Sequence, residues 1–141
     1  MDLHTINLLQ GSFSEVRAAQ DDAASLFYER LFRMDPSLEK LFDTSDMRTQ
    51  GRKLMTSLAL VVDSLRRFDD LKPVLENLAR KHVTYGVQNA HYETVGNALI
   101  ETLSLFFGER FSPELRAAWA QAYAAIAGVM LAAVPEEASL V

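Results

Sequence analysis

"ARKHVTYGV", Ala79 to Val87, is the stretch on which the reading of this chain turns, because it holds His82, one of only three histidines in 141 residues. Arginine and lysine precede His82, and valine, threonine, tyrosine, glycine and valine close the segment. Leu78 and Leu75 lie one and two turns earlier on the same helical face, so the ring is expected to point inward. An inward imidazole is either hydrogen-bonded within a core or bound to a metal, and for a lone histidine the first is commoner. The rest of the chain has to supply the other half of a site.

Composition narrows what that site can be. A chain of 141 residues makes one domain with a core that needs no covalent staples. Cysteine is absent, which excludes a disulfide framework, a thiolate metal site, a cysteine nucleophile and attachment of a group through C-x-x-C-H. The net charge of −5 leaves no basic face for a phosphate backbone or an anionic bilayer, so neither nucleic acid nor membrane is an expected partner. "MDLHTINLLQ" has neither a basic n-region nor a long apolar h-region, and with the missing cysteine this sets the expectation of a cytoplasmic protein.

Nearly every segment reads as helix, interrupted by four prolines and six glycines, with no alternating run long enough for a sheet. Helices are expected over about 3–19 and 21–34. Asp35 caps a restart with Pro36 at its first position. In "QGRKLMTSLALVVDSLRRF" the residues Gln50, Leu54, Leu58, Val61 and Leu65 form an inward stripe. "DDLKPVLENLARKHV" follows with Asp69 or Asp70 as cap, then "NAHYETVGNALIETLSLFF", broken from its predecessor around Val87 to Ala90. Ser112 and Pro113 start the last helix. Ala117 to Val134 has Gln121 as its only strongly polar residue; it is read as the buried central helix of an all-α domain, because alanine contributes little to membrane insertion. Seven or eight helices of unequal length with no sustained heptad favour crossed packing over a regular bundle. The domain spans 1–141, with a short tail from about 135.

A metal held by protein ligands alone is disfavoured. His82 and His91 fall on opposite sides of a continuous helix, and no H-x-x-x-H or E-x-x-H pair occurs. A metal on His82 must bring its other ligands with it, as haem does. Haem asks for an apolar slot and a second wall. Gln50 heads its stripe where a plain core helix would carry leucine, and Tyr28 puts a polar tip among the apolar residues of "LFYERLF". Singly, Gln50 reads as a solvated first-turn residue and Tyr28 as a ring reaching for water. With Phe42 and His82 they make a set.

"SLFYERLFRMDPSLEKLF", "QGRKLMTSL", "LARKHVTYGVQNAHYETVG" and "AAWAQAYAAIAGVM" resemble the matching segments of bacterial single-domain haemoglobins, the lineage that also supplies the haem domain of flavohaemoglobins. "RKLM" and the histidine–tyrosine–glycine–valine order are similar to the Hell's Gate globin type. The resemblance covers about Thr5 to Met130 and implies a globin fold around non-covalent haem b. It implies that His82 is the proximal iron ligand, its Nδ1–H donating to a carbonyl one turn back with Leu78 as acceptor. Phe42 packs on the haem face, Tyr28 and Gln50 hydrogen-bond dioxygen, and Leu54 closes the pocket. Tyr85 and Val87 lie near the proximal edge, and Lys53 is a propionate partner. The chain departs from its relatives in one respect. Tyr92 matches their proximal tyrosine, but Val134 stands where they carry a glutamate, with Glu136 and Glu137 just beyond. Three functions follow as alternatives: tight reversible dioxygen binding for transport or storage, nitric oxide dioxygenation with a separate reductase, and gas or redox sensing. Carbon monoxide and nitric oxide are expected ligands as well.

Overall fold

The computed structural model describes residues 1–134; the tail at 135–141, with Glu136 and Glu137, lies outside them. Six α-helices occur among the described residues: α1 Leu3–Ala18, α2 Gln20–Met34, α3 Met47–Asp63, α4 Phe68–Thr84, α5 Asn89–Phe107 and α6 Pro113–Ala133. Short 3-10 helices occupy Pro36–Leu41, Thr44–Asp46, Leu65–Arg67 and Gly108–Arg110. Counting the six-residue Pro36–Leu41 helix gives seven, in agreement with the expected all-α architecture.

Local chemistry sets most of the boundaries. The Asp35 carboxylate accepts from the Ser37 N–H at 3.1 Å with Pro36 next in line, and Ser112 accepts from the Leu115 N–H at 3.1 Å ahead of Pro113. Both satisfy orphan donors of a first turn. The expected cap at Asp69 or Asp70 is corrected: α4 begins at Phe68, directly out of the Leu65–Arg67 turn, with no side-chain cap. Asp69 and Asp70 therefore sit inside the first turn, where their charge meets the positive end of the helix dipole. Pro73 lies inside α4 and removes one hydrogen bond from its N-terminal half.

The helices cross rather than run in parallel: α2 packs on α3 and α5, α4 on α6, and α1 across α3 and α6. The core has three parts. The largest joins Leu9, Phe13, Val16, Met55, Val62, Leu103 and Trp119, and the Trp119 indole N–H donates to Ser12 Oγ at 3.0 Å inside it. A second groups Phe27, Tyr28, Leu31, Leu38 and Ala98, bordered by the partly buried Phe42 and Leu54. A third groups Leu71, Leu75, Ala79 and Met130, bordered by Leu78, Tyr92 and Val134.

Two sequence expectations change here. The most buried line of α3 is Gly51, Met55 and Val62, one residue round from the expected stripe. Gln50, Leu54, Leu58 and Val61 are only half-buried. Gly51 meets α2 at their crossing, where a Cβ on it would stand 3.0 Å from the Ala24 Cβ. A Gly51→Val substitution is expected to cost about 1–3 kcal/mol by overpacking, read as a lowered urea midpoint; an unchanged midpoint would show that the crossing has room. The second change concerns α6, which is not buried all round. It buries Ala118, Trp119, Ala122, Ala127 and Met130 and turns Ala117, Ala120, Ala124, Gly128 and Ala132 outward. Its apolar character resides in alanine, which removes little surface from water when buried and costs little when exposed.

Candidate functional site

His82 stands in the last turn of α4, and "HVTYGV" holds it there by closing the helix. Gly86 adopts φ of 93°, a left-handed conformation that glycine takes without a Cβ penalty. Its N–H donates to the Val83 carbonyl at 3.0 Å, and the Val87 N–H donates to the His82 carbonyl at 2.9 Å. These are the two bonds of a Schellman closure, so Val87 fixes the backbone of His82 directly. The His82 ring is half-buried. Its Nδ1 lies 2.8 Å from the Leu78 carbonyl; a carbonyl only accepts, so Nδ1 carries the hydrogen and Nε2 keeps a free lone pair. Burial pushes the imidazole below its ordinary pKa of 6.5, partly offset by the Leu78 bond, which favours the neutral form that a metal requires.

Tyr28 and Gln50 come together from α2 and α3. Gln50 Nε2 donates to Tyr28 Oη at 3.1 Å, so the phenol accepts there and its own hydrogen is left for a further acceptor. Tyr28 is 6% exposed, and burial raises its pKa, opposed by the Gln50 bond; it stays a neutral donor through the physiological range. The ring is fixed by aromatic contacts, T-shaped to Phe42 at 5.4 Å and tilted to Phe32 at 5.8 Å. Phe32 and Phe42 are themselves T-shaped at 5.6 Å. Leu54 packs against this group, and Lys53 beside it is exposed. Tyr85 is 61% exposed, with its ring 6.4 Å from that of His82.

Sequence reading passed over three residues. Phe32 completes the aromatic trio, and its position one turn beyond Tyr28 on α2 was the available signal. Arg30 reaches Glu101 of α5 at 3.1 Å and Glu29 at 2.9 Å, tying down the helix that carries Tyr28. Tyr123 donates to the Tyr92 carbonyl at 2.6 Å. No sequence signal marked the last two. The other histidines serve elsewhere. His91 Nδ1 accepts from the Gln88 N–H at 3.0 Å in a capping box that starts α5, and His4 meets Glu114 on the surface at 3.3 Å.

The Globin family pattern matches residues 25–130, a span that includes every residue of the arrangement above. The chain belongs to the globin family. This globin is 27% identical over 128 residues to a flavohemoprotein of Vibrio cholerae, covering 89% of the chain and 32% of the relative. It is 32% identical over 110 residues to a flavohemoprotein of Chromobacterium violaceum, covering 76% and 27%. It is 23% identical over 133 residues to one of Bacillus subtilis, covering 93% and 33%. The chain thus spans about a third of the length of these relatives. The fold matches the structure of a bacterial globin from Campylobacter jejuni with a TM-score of 0.83 at 19% identity, over 99% of this chain and 98% of that one.

Family membership implies haem and the binding of diatomic gases, and the residues fit that group. Among the described residues no cluster of three His, Cys, Asp or Glu side chains could hold a bare metal. His82 offers a single free nitrogen, which suffices for a metal that arrives with its own equatorial ligands. Beside α4, Val134 and Tyr92 border the apolar third cluster. Among the described residues the Leu78 carbonyl is the one hydrogen-bond partner of the His82 ring.

Proposed function

We propose that this globin binds dioxygen tightly and reversibly on non-covalent haem b, for transport or storage, and that Tyr28 and Gln50 are its distal donors. The reading rests on one observation: one N–H of the Gln50 amide is donated to Tyr28 Oη, so the phenol O–H and the second amide N–H remain to donate to a ligand. When bound, haem supplies ferrous iron that shares electron density with dioxygen and leaves the ligand partly negative. The Tyr28 O–H donates to that charge, and the Gln50 amide orients the phenol and adds a second N–H. His82 would hold the iron through Nε2, its ring oriented by the Leu78 carbonyl. Leu54 and Phe42 exclude water, and Lys53 holds a propionate at the rim. Tyr85 and Val87 flank the proximal edge.

We place the chain with the single-domain haemoglobins of the Hell's Gate type, working in the cytoplasm. The carbonyl-bonded His82, whose ring has no carboxylate partner among the described residues, supports reversible binding over O–O bond cleavage. The flavohemoprotein relatives support a second reading, nitric oxide dioxygenation with a separate reductase. Stopped-flow spectroscopy separates the two. The reduced protein is expected to give an oxygenated spectrum that reverts on removal of dioxygen, and one burst of nitric oxide consumption. Sustained consumption with a cellular reductase and NADH favours the second reading, and the lack of any reversible oxygenated species overturns the first.

A further inference from the structure

A cleft of about 510 Å³ opens to solvent between α2 and the start of α3. It is lined by Ala24, Ser25, Tyr28 and Phe32 from α2, and by Met47 and Gly51 from α3. Asp21, Glu29 and Arg48 complete its lining. Two of these residues belong also to the candidate gas site: Tyr28 bonds Gln50, and both Tyr28 and Phe32 pack on Phe42. Tyr28 is therefore shared by the cleft and the Tyr28–Gln50 pair, with Phe32 beside it in the cleft wall. Met47 packs on the same cluster.

The chemistry of that wall suits passage. Ala24 and Gly51 close the floor of the cleft at the helix crossing, where a Cβ on Gly51 would stand 3.0 Å from the Ala24 Cβ, so passage runs past Met47 and Phe32. Met47 is unbranched, with three rotatable bonds, and changes shape at low cost. The rim is bridged by Arg48 and Asp21 at 3.6 Å, with side chains 73% and 51% exposed; an ion pair so hydrated contributes little and opens readily. The alternative path requires Gln50 to swing outward, and Gln50 is held inward by its bond to Tyr28.

We propose that this cleft is the access route for diatomic ligands to the distal pocket, with Met47 as its inner gate. The proposal rests on the reading of Tyr28 and Gln50 as the gas site. A route acts on a barrier, so blocking it changes association and dissociation by one common factor and leaves the equilibrium alone; a disturbed pocket shifts the two unequally. Ser25 is exposed, so a Ser25→Trp substitution fills the cleft without touching the core.

The experiment is laser photolysis of the carbon monoxide complex of the haem-loaded full chain, with dissociation measured by ligand replacement. Ser25→Trp is expected to slow both rates by roughly ten-fold with an unchanged bound spectrum, and Met47→Ala to speed both. Unchanged rates in both variants overturn the route, as does any variant in which one rate moves and the equilibrium follows it. A Gln50→Ala variant that alone accelerates both rates assigns passage to the Gln50 side and also overturns it. If the unsubstituted chain gives no carbon monoxide band at all, the gas-site reading falls first and the route with it. A normal band with unaltered rates removes the route alone.

Discussion

Replacing His82 by alanine is expected to abolish specific haem retention. The protein would lose its one free ring nitrogen in the site, and the loss exceeds the roughly 10–100-fold that removing a mere supporting group costs a metal site. The readout is the Soret band of the reduced and carbon monoxide forms, lost from its native position in His82→Ala and restored by added imidazole. An unchanged spectrum would place the axial ligand elsewhere. Acid probes the same residue. Burial, more than the Leu78 bond can offset, holds the His82 pKa below 6.5 in the folded chain, while the unfolded chain titrates near 6.5. Between those two values the unfolded state binds more protons, so stability falls as the pH drops through about 6.5 and levels off below the folded pKa. In His82→Ala that component of the acid dependence is expected to vanish.

The second large effect is on dioxygen release. Two hydrogen bonds to a partly negative ligand are worth roughly 1.5–3 kcal/mol each, so Tyr28→Leu combined with Gln50→Leu is expected to raise the dissociation rate by about 10²–10⁴-fold. Carbon monoxide, less polarised, is expected to change by less than about ten-fold on the same arithmetic. The single substitutions are not independent. Gln50 donates to Tyr28 Oη at 3.1 Å, so Gln50→Leu removes one donor and frees the other to rotate, and the pair shows a coupling energy in a double-mutant cycle. Equal dissociation rates in the double variant and the unsubstituted chain would remove Tyr28 and Gln50 from the site.

What the sequence revealed was whatever local chemistry determines. Asp35–Pro36 and Ser112–Pro113 announce helix starts because a cap and a fixed φ need no distant partner. The break expected around Val87 to Ala90 falls slightly earlier, between Thr84 and Asn89, because Gly86 takes the left-handed turn that ends α4. His82 was legible as an inward ring, and its Leu78 bond as what the resemblance implies for a ring one turn beyond that carbonyl. Asp69 and Asp70 misled because a preceding 3-10 turn passes into α4 and removes the need for a cap. The α3 stripe shifted by one residue because periodicity gives a face about a hundred degrees wide without saying which part of it meets another helix. Gly51, which carries no hydrophobic signal, turned out to be the contact with α2. The Arg30–Glu101 bridge and the Tyr123–Tyr92 bond join residues 71 and 31 positions apart, and no property of either partner points to the other.

The division of the core into three has a consequence for local stability. The largest cluster draws on α1, α2, α3, α5 and α6 and takes no residue from α4. The helix that bears His82 leans instead on Leu71, Leu75 and Ala79 against Met130, and Pro73 deprives it of one rung. Helix α4 therefore docks against Met130 of α6, outside the largest cluster. Amide exchange is expected to open α4 well before α1 or α6. The helix outside the largest cluster is then the one that a prosthetic group would clamp to the rest.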